Sequence, residues 1–516
     1  MKGFQPMQNK KKYAKRARLC MLLFLVVVSL WLCDFQISVL IKRKGQLGVI
    51  LGQMFPPDVS YSGKIVKPLL ETVCMSVGGT AVGAAFAWIA AIFCCQKVTK
   101  RGKWTFFLRT VIHLVRAIPV LVIALAASFL LGVGAAAGVT AIALFTFGIL
   151  SKMTWEQLDC MDFHVMEALC AAGNGRARSF LRTIVPEMMP EFVSNVLYAF
   201  EINVRHASIL GYVGAGGLGI LLNEKIAWRE YAKVGMILLF LYGVVLLVEM
   251  LNQSVRKKLS SRSVIAGRKK VVIALIFLAA LFVGGSEFFE IKAPEKGGAI
   301  LAGIFSGFLH PDWSLVFNIT KNGVPWLMLE TAAMAAGGTA IGAALAVPFS
   351  FLASKTTSHP LVCTVARLIL AAVRTIPAMI YGLIFIRVTG PGAFAGVMTL
   401  AVLSFGMCAK MFSQVLDHAD SHLLEAFSGM GCGWFAKIKY ALWPGVKKAF
   451  FSGAFYRFDV NLRDASVLGL VGAGGIGTPL LFSMNGYLWE MAGAYLIGLI
   501  VMVLAADALS SRVRGE

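Results

Sequence analysis

The sequence predicts an all-α integral membrane protein with about twelve transmembrane helices, arranged as two parallel six-helix repeats. Hydrophobic residues make up 58% of the 516 residues and charged residues only 15%, with a mean hydropathy of +0.76. An average soluble domain carries about 25% charge. Apolar stretches recur at lengths near the ~20 residues that cross a bilayer, and the second half of the chain repeats the first. A soluble enzyme is excluded by this composition.

The charge is strongly basic, with 49 Lys and Arg against 26 Asp and Glu and a net charge of +23. A nucleic-acid-binding protein concentrates such charge on a polar face and lacks this apolar excess. Positive loops on the cytoplasmic side of a membrane explain the excess better. We therefore expect membrane lipid, and no nucleic acid, around this chain. The ten cysteines lie mostly inside apolar runs and are interpreted as small buried hydrophobes.

The first element is an uncharged run from Leu19 to Cys33 that follows seven basic residues. Small residues before a cleavage site are missing, so we predict an uncleaved first span with a cytoplasmic N-terminus. Five more spans follow in the first half, near residues 68–95, 117–134, 135–150, 191–210 and 232–251.

A basic connector between Arg256 and Lys270 contains seven Lys or Arg and no acid, which places it in the cytoplasm. The pattern then restarts, with predicted spans near 271–286, 326–353, 371–390, 392–409, 446–468 and 491–506. We therefore predict two domains, 1–260 and 261–516, each one membrane repeat, with the C-terminus also cytoplasmic.

The repeat is visible in the residues themselves. The segment 203–219 aligns with 461–477, identical at 12 of 17 positions and 258 residues apart. Glu71-Thr72 recurs as Glu330-Thr331 at a distance of 259, and we expect these glutamates to cap helices. Six spans per copy insert both copies in the same direction, with a pseudo-two-fold axis along the membrane normal and an expected pathway between the halves.

The longest polar stretch of each repeat runs from Ser151 to Glu191 and from Lys410 to Lys448. Each stretch contains Glu-Ala, then Gly five residues later, then a hydrophobic residue and Pro thirteen residues after that Gly. This pattern resembles the cytoplasmic EAA loop of binding-protein-dependent ABC importer permeases, whose short helix docks in a cleft of the ATPase. The resemblance implies that six residues couple the chain to the ATPase: Glu167, Ala168, Gly173, Glu425, Ala426 and Gly431.

The segment Phe200 to Arg205, followed by Val-Gly-Ala-Gly-Gly-Leu-Gly, is similar to the phosphonate and phosphite branch of that family. The Arg-x-Ile-Pro segments starting at Arg116 and Arg374 belong to the same pattern, although Val120 and Ala378 stand where the branch often has an acid. The resemblance implies the MetI-like fold of ABC importer permeases, in a bacterial inner membrane. It also implies a phosphonate or related phosphorus oxyanion as substrate, two copies of a separate ATPase carrying ATP and Mg, and an extracytoplasmic solute-binding protein. No cofactor is expected in this chain.

Arginines inside predicted spans are costly and normally face the bundle interior. Arg205 and Arg463 could bind a phosphonate, because a guanidinium offers planar paired donors to oxyanions. Glu201 and Asp459 stand four residues before them, so each pair could instead neutralise itself on one helix face. Both interpretations stay open. The predicted substrate pathway comprises Arg205, Arg463, Glu201, Asp459, Asn203 and Asn461.

The glycine-rich loops match G-x-G-x-x-G literally, but membrane spans surround them, which argues against a dinucleotide site in a soluble βαβ unit. Glycines here let backbone approach backbone at a broken or re-entrant helix tip. We interpret the loops as gates at the outer mouth, formed by Gly214, Gly216, Gly217, Gly472, Gly474 and Gly475.

The chain has no G-x-x-x-x-G-K-[ST] segment, no catalytic triad and no zinc-ligand constellation, so we expect a transport subunit without catalytic or metal-binding residues. His418 and His422 are interpreted as solvated loop residues. Two alternatives remain: an ABC permease for another solute such as methionine or a betaine, and a proton- or sodium-coupled secondary transporter with the same parallel repeats.

Overall fold

The computed structural model describes residues 21, 24–99, 102–260, 297–419 and 421–514. These residues form helices joined by short turns, and no β-strand occurs among them, which confirms the all-α prediction. The fold divides into two compact units. We call residues 50–305 the first-repeat unit, and residues 306–516 together with 1–49 the second-repeat unit.

The helices of the first repeat are long where apolar residues run on, because backbone N–H and C=O groups in hydrocarbon must bond within the segment. Their bounds are α1 24–32, α2 Ile37–Lys42, α3 Lys44–Met54, α4 Ser62–Cys94, α5 Gln96–Thr99, α6 Gly102–Ala117, α7 Val120–Leu131, α8 Ala135–Cys160, α9 His164–Ala171, α10 Arg176–Leu210, α11 Leu218–Ala227 and α12 Tyr231–Ser260.

The second repeat follows the same order, and a π-helical stretch, Lys437–Leu442, joins its α20 and α21. Its bounds are α13 Gly297–Leu309, α14 Trp313–Phe317, α15 Val324–Ala353, α16 Pro360–Thr375, α17 Ala378–Thr389, α18 Ala393–Asp417, α19 Ser421–Gly429, α20 Trp434–Ala436, α21 Trp443–Gly469, α22 Gly477–Asn485 and α23 Trp489–Arg514. The change of offset from 259 to 258 falls in the connector after α4 and α15, which is one residue shorter in the second repeat.

Six described helices are long and apolar enough to cross a membrane, in the ranges Val59–Cys94, Ala135–Cys160, Tyr231–Arg256, Val324–Ala353, Ala393–Asp417 and Trp489–Ala508. The predicted spans at 191–210 and 446–468 lie in α10 and α21, which carry intramembrane charges. The predicted span at 19–33 begins outside the described residues, and the one at 271–286 lies wholly outside them.

Two predicted spans, 117–134 and 371–390, are each interrupted near their start. Helices α6 and α7 meet at 87°, and α16 and α17 meet at 82°. Pro119 and Pro377 cause the breaks, because a proline lacks an N–H and excludes the preceding residue from helical geometry. The sequence prediction of one continuous span is therefore wrong at these two places, and each becomes a bent helix pair.

The chain from α1 to the middle of α3 packs on the second repeat. Cys33 is buried in an apolar cluster with Met334 and Leu400, and Arg43 Nη1 donates to the Val388 carbonyl at 3.1 Å. The compact units therefore do not coincide with the sequence repeats. The division at 260/261 stays a prediction about the repeats.

Candidate functional site

Each predicted coupling loop contains a short helix closed by a glycine. Helix α9 ends before Gly173, at φ +87°, and α19 ends before Gly431, at φ +71°. The amide after each glycine donates to the carbonyl five residues earlier, at 3.1 Å in both loops. This is the Schellman closure, and it favours glycine because side-chain-bearing residues are strained at positive φ.

The coupling helices α9 and α19 expose their Glu-Ala pairs on the surface of the protein. Met166 is buried in the apolar cluster at the base of α9, while Glu167 and Ala168 are exposed, and Glu425 and Ala426 are exposed in the same way on α19. A helix seated on its own bundle with a small residue and an acid facing outward can enter a cleft on a partner.

Arginine clamps at the base of the coupling loops were not found by sequence reasoning. Arg109 on α6 donates to the Cys94 carbonyl at the end of α4 (2.7 Å) and pairs with Asp159 at the end of α8 (2.5 Å). Arg367 and Asp417 repeat this arrangement at 2.6 Å, with a 2.8 Å bond to the last carbonyl of α15. The arginine and the aspartate of the first clamp both recur 258 residues later, and this recurrence in the sequence could have identified them. Each clamp joins the middle of α6 or α16 to the ends of two other helices, α4 and α8 in the first repeat and α15 and α18 in the second, where the coupling loop begins.

Cavities beside the two coupling helices differ in chemistry. One of about 710 Å³ lies beside α9 and one of about 660 Å³ beside α19. Polar and charged residues of the first include Lys97, Asp162, His164, Glu167 and Arg176. Apolar residues dominate the second, including Met411, Val415, Leu423, Leu442 and Val446. The two cavities are lined by different parts of the two repeats, and only Met161 and Ala419 are corresponding residues.

Asn203 and Asn461 are fully buried and each joins three helices. The Asn203 amide group donates to the hydroxyls of Thr80 on α4 (2.8 Å) and Thr146 on α8 (2.7 Å). Asn461 makes the matching bonds to α15 and α18 at 2.7 and 2.6 Å. These bonds give both asparagines a structural role, and their place in a substrate pathway stays a prediction.

Arg205 bonds to Glu201, and Arg463 to Asp459, each across one helical turn. Only 8% of Glu201 and 7% of Asp459 is exposed. This geometry agrees with pairs that neutralise themselves. A guanidinium uses one edge for its carboxylate and keeps other N–H groups, so binding of an oxyanion by the same arginines stays a prediction.

A second buried ion pair on α21 was missed from the sequence. Arg457 Nη2 lies 3.0 Å from Asp464 Oδ2, and only 6% of the arginine side chain is exposed. The first repeat has Ala199 and His206 at these positions. His206 there packs edge to face on Phe145, with ring centroids 4.8 Å apart. Because the pair has no counterpart, a search for recurring residues could not find it.

The predicted gate loops follow the ends of α10 and α21. All six predicted glycines have positive φ, between 73° and 86°. A Cβ on Gly474 would lie 2.6 Å from the Ala393 nitrogen, so the backbone passes too close for a side chain. Gly214 and Gly472 each accept a 3.0 Å bond from the glycine amide just before α8 and α18. The loops are therefore packed backbone to backbone, as predicted for them.

A charged cluster lies where α11 ends and α12 begins. The Lys225 and Lys233 ammonium groups each lie 5.5 Å from the Tyr61 ring centroid, within cation–π range. Glu230 bonds to both lysines, and these hydrogen bonds hold the pKa of its carboxyl below the usual range. The second repeat has Ser483, Leu488 and Met491 at the three charged positions.

Within the described residues, no three His, Cys, Asp or Glu side chains are placed to share a metal ion. His418 Nδ1 lies 2.8 Å from the Gln414 carbonyl of its own helix.

Comparison with known proteins matches the chain twice to the family model of the binding-protein-dependent transport system inner membrane component, at residues 83–261 and 338–515. The chain is 30% identical over 95% of its length to the phosphate-import permease protein PhnE of Mycolicibacterium smegmatis, covering 92% of that protein. It is 33% identical over 48% of its length to the phosphite transport system permease protein PtxC of Stutzerimonas stutzeri, covering 88% of it. It is 22% identical over 90% of its length to the ABC transport system permease protein p69 of Mycoplasma pneumoniae, covering 88% of it.

Proposed function

The chain belongs to the family of binding-protein-dependent transport system inner membrane components, and we propose that it imports a phosphonate or a related phosphorus oxyanion. It is a multi-pass inner-membrane permease, the transport subunit of an ABC importer, with both family domains in one chain. The observation that carries the substrate class is the similarity to a phosphate-import permease along 95% of the chain, together with the similarity to a phosphite permease over one repeat length.

Two ATPase subunits would dock on this chain, one on α9 and one on α19. The exposed Glu-Ala pair in each loop and the equal position of the two helices support this stoichiometry. ATP and Mg would bind to those partners. Family membership favours this energy source over a proton or sodium gradient.

The coupling loops, the basic connector and both termini would face the cytoplasm, and the gate loops the outside. Helix α10 supports this arrangement, since it begins just after one coupling loop and ends at a gate loop. Its 35 residues span about 50 Å at 1.5 Å per residue, more than the ~30 Å hydrocarbon core. A solute-binding protein would deliver substrate at the outer side.

The arginines Arg205 and Arg463 would meet the anion in the pathway. Each keeps guanidinium donors beyond those that bond its own carboxylate, and planar donors suit a phosphorus oxyanion. Replacement of Gly216 and Gly474 by valine should abolish uptake while the protein still binds its ATPase, because the loops have no room for a side chain.

The test is reconstitution of the chain in proteoliposomes with an ABC ATPase and a solute-binding protein of the same organism. We expect ATP-dependent accumulation of radiolabelled methylphosphonate that excess phosphite or phosphate reduces and that methionine and glycine betaine leave unchanged. Accumulation of betaine or methionine instead would refute the substrate class. Accumulation driven by an ion gradient without ATP would refute the energy source.

A further inference from the structure

The Glu-Thr pairs that recur on α4 and α15 bond to the gate loops. The Thr72 hydroxyl oxygen accepts from the Leu218 amide at 2.8 Å, and a Glu71 carboxylate oxygen lies against the loop at Gly216. In the second repeat, Thr331 accepts at 2.9 Å and Glu330 at 3.4 Å from two consecutive loop amides. The threonine thus bonds the corresponding amide in both repeats, and the glutamate before it lies against the same loop in both.

The threonines are oriented for this contact. Thr72 donates its hydroxyl hydrogen to the Pro68 carbonyl one turn earlier, at 2.8 Å, and Thr331 donates to the Leu327 carbonyl at 2.6 Å. A hydroxyl has one hydrogen and two lone pairs. With the hydrogen committed to its own helix, each oxygen offers lone pairs to the loop.

The glycines of the loop make room for these side chains. A Cβ on Gly217 would lie 2.7 Å from the Thr72 hydroxyl oxygen, and one on Gly475 would lie 2.7 Å from that of Thr331. A Cβ on Gly216 would lie 2.6 Å from a Glu71 carboxylate oxygen. The loop backbone therefore rests directly against the Glu-Thr pair.

Glu71 and Glu330 do not cap their own helices. Glu71 lies well inside α4, which begins at Ser62, and interior amides of a helix are already bonded to carbonyls one turn back. The Glu-Thr pairs instead meet the N-terminal ends of α11 and α22, whose N-caps are Gly217 and Ile476, so the expectation of helix capping holds for helices that follow much later in the chain.

We propose that Glu71-Thr72 and Glu330-Thr331 are positioning residues that hold the two gate loops against α4 and α15. The proposal rests on the gate function proposed above for these loops. It also gives α4 a mechanical role, because the Arg109 clamp grips the other end of this helix at Cys94. The 23 residues from Glu71 to Cys94 span about 35 Å of helix, so α4 joins the base of the coupling loop to the gate loop. Helix α15 does the same in the second repeat through Arg367.

Hydrogen–deuterium exchange of the purified chain in nanodiscs tests the contact without any partner. We expect the double variant Thr72→Val with Thr331→Val to raise the exchange rate of the amides at 217–218 and 475–476 by about tenfold. This factor corresponds to the loss of one hydrogen bond. Glu71→Leu with Glu330→Leu should act similarly. Glu71→Gln with Glu330→Gln should restore slow exchange, because an amide oxygen replaces the carboxylate as acceptor. Thr110→Val is the matched control, since that hydroxyl bonds only within α6, to Phe106 at 2.9 Å.

In the reconstituted importer, the Val and Leu variants should hydrolyse ATP faster than the wild type when no binding protein is present. The Gln variant and Thr110→Val should hydrolyse ATP at the wild-type rate. Unchanged exchange in both the Val and the Leu variants would overturn the positioning role. Faster exchange with normal coupling would overturn the gate function of the loops and leave the substrate assignment untouched. Single-repeat variants, which keep one pair intact, provide the same readout if a double variant does not fold.

Discussion

Removal of Arg457 should destabilise the second-repeat unit because it leaves the half-buried carboxylate of Asp464 without its ion-pair partner. Arg457→Met keeps most of the apolar stem of the side chain and deletes the guanidinium that lies 3.0 Å from Asp464. The arginine occupies space that the first repeat fills with larger apolar groups: Val347 and Cys408 stand where the first repeat has Trp88 and Leu150. The space around Arg457 therefore suits the arginine side chain, and Asp464 depends on the guanidinium as its ion-pair partner.

The expected loss of stability in Arg457→Met follows from how deeply the ion pair is buried. Loss of one partner of a buried ion pair costs about 3–5 kcal/mol. Asp464 keeps 29% of its side chain exposed, so water offsets part of the penalty and we expect about 2–3 kcal/mol. Arg457→Met with Asp464→Asn removes both charges and should cost about 1 kcal/mol, because replacing both partners of a buried pair is often close to neutral.

The assay is equilibrium unfolding of the purified chain in mixed detergent micelles by SDS titration, followed by circular dichroism. The double variant should be about 1–2 kcal/mol more stable than Arg457→Met alone, which is the sign of coupling between the two residues in a double-mutant cycle. Leu462→Met, a volume-conserving change at a buried neighbour, controls for the methionine itself and should cost less than about 1.5 kcal/mol. A single variant as stable as the wild type, or a double variant no more stable than the single one, would refute the reasoning.

Three further predictions concern recurring features. Glu425→Lys reverses the exposed charge of α19 and should lower ATPase association or stimulation severalfold; full stimulation in proteoliposomes would contradict the coupling role. Asn203→Leu removes two buried hydrogen bonds and should reduce the free energy of unfolding by about 1–2 kcal/mol, measured by SDS titration with Leu197→Met as control. Gly431→Ala meets no neighbour within 4 Å but keeps φ at +71°, so it should cost about 1 kcal/mol from backbone strain alone, whereas Gly429→Ala, at a helical position with equal space, should cost nothing measurable.

The sequence was informative wherever the physics is local. A span in hydrocarbon has to be a long apolar helix, so most span positions could be predicted from apolar runs, and glycine marked the helix end at Gly173. Contacts between distant residues could not be read in this way. Glu71 lies against Gly216, 145 residues further along the chain, and α1 lies in the second-repeat unit. Neither fact leaves a trace in local composition.

Comparison of the two repeats separates the contacts that both copies share from the contacts that occur in one copy. The arginine clamp, the buried asparagine and the Glu-Thr pair occur in both copies with nearly equal distances. Each of them joins helices or loops that any copy of this fold must hold together.

Differences between the copies lie elsewhere: the Arg457 ion pair belongs to the second repeat alone, and the charged turn around Glu230 to the first. A duplicated permease that carried an asymmetric substrate or met an asymmetric binding protein would need the halves to differ at such places. Exchange of the turn 224–233 for the residues of the second repeat therefore tests specialisation directly. If the charged turn contributes to docking, stimulation of ATP hydrolysis by the binding protein should fall severalfold and lose its dependence on salt, while hydrolysis without the binding protein should not change. Unaltered stimulation would place the specialised contact elsewhere.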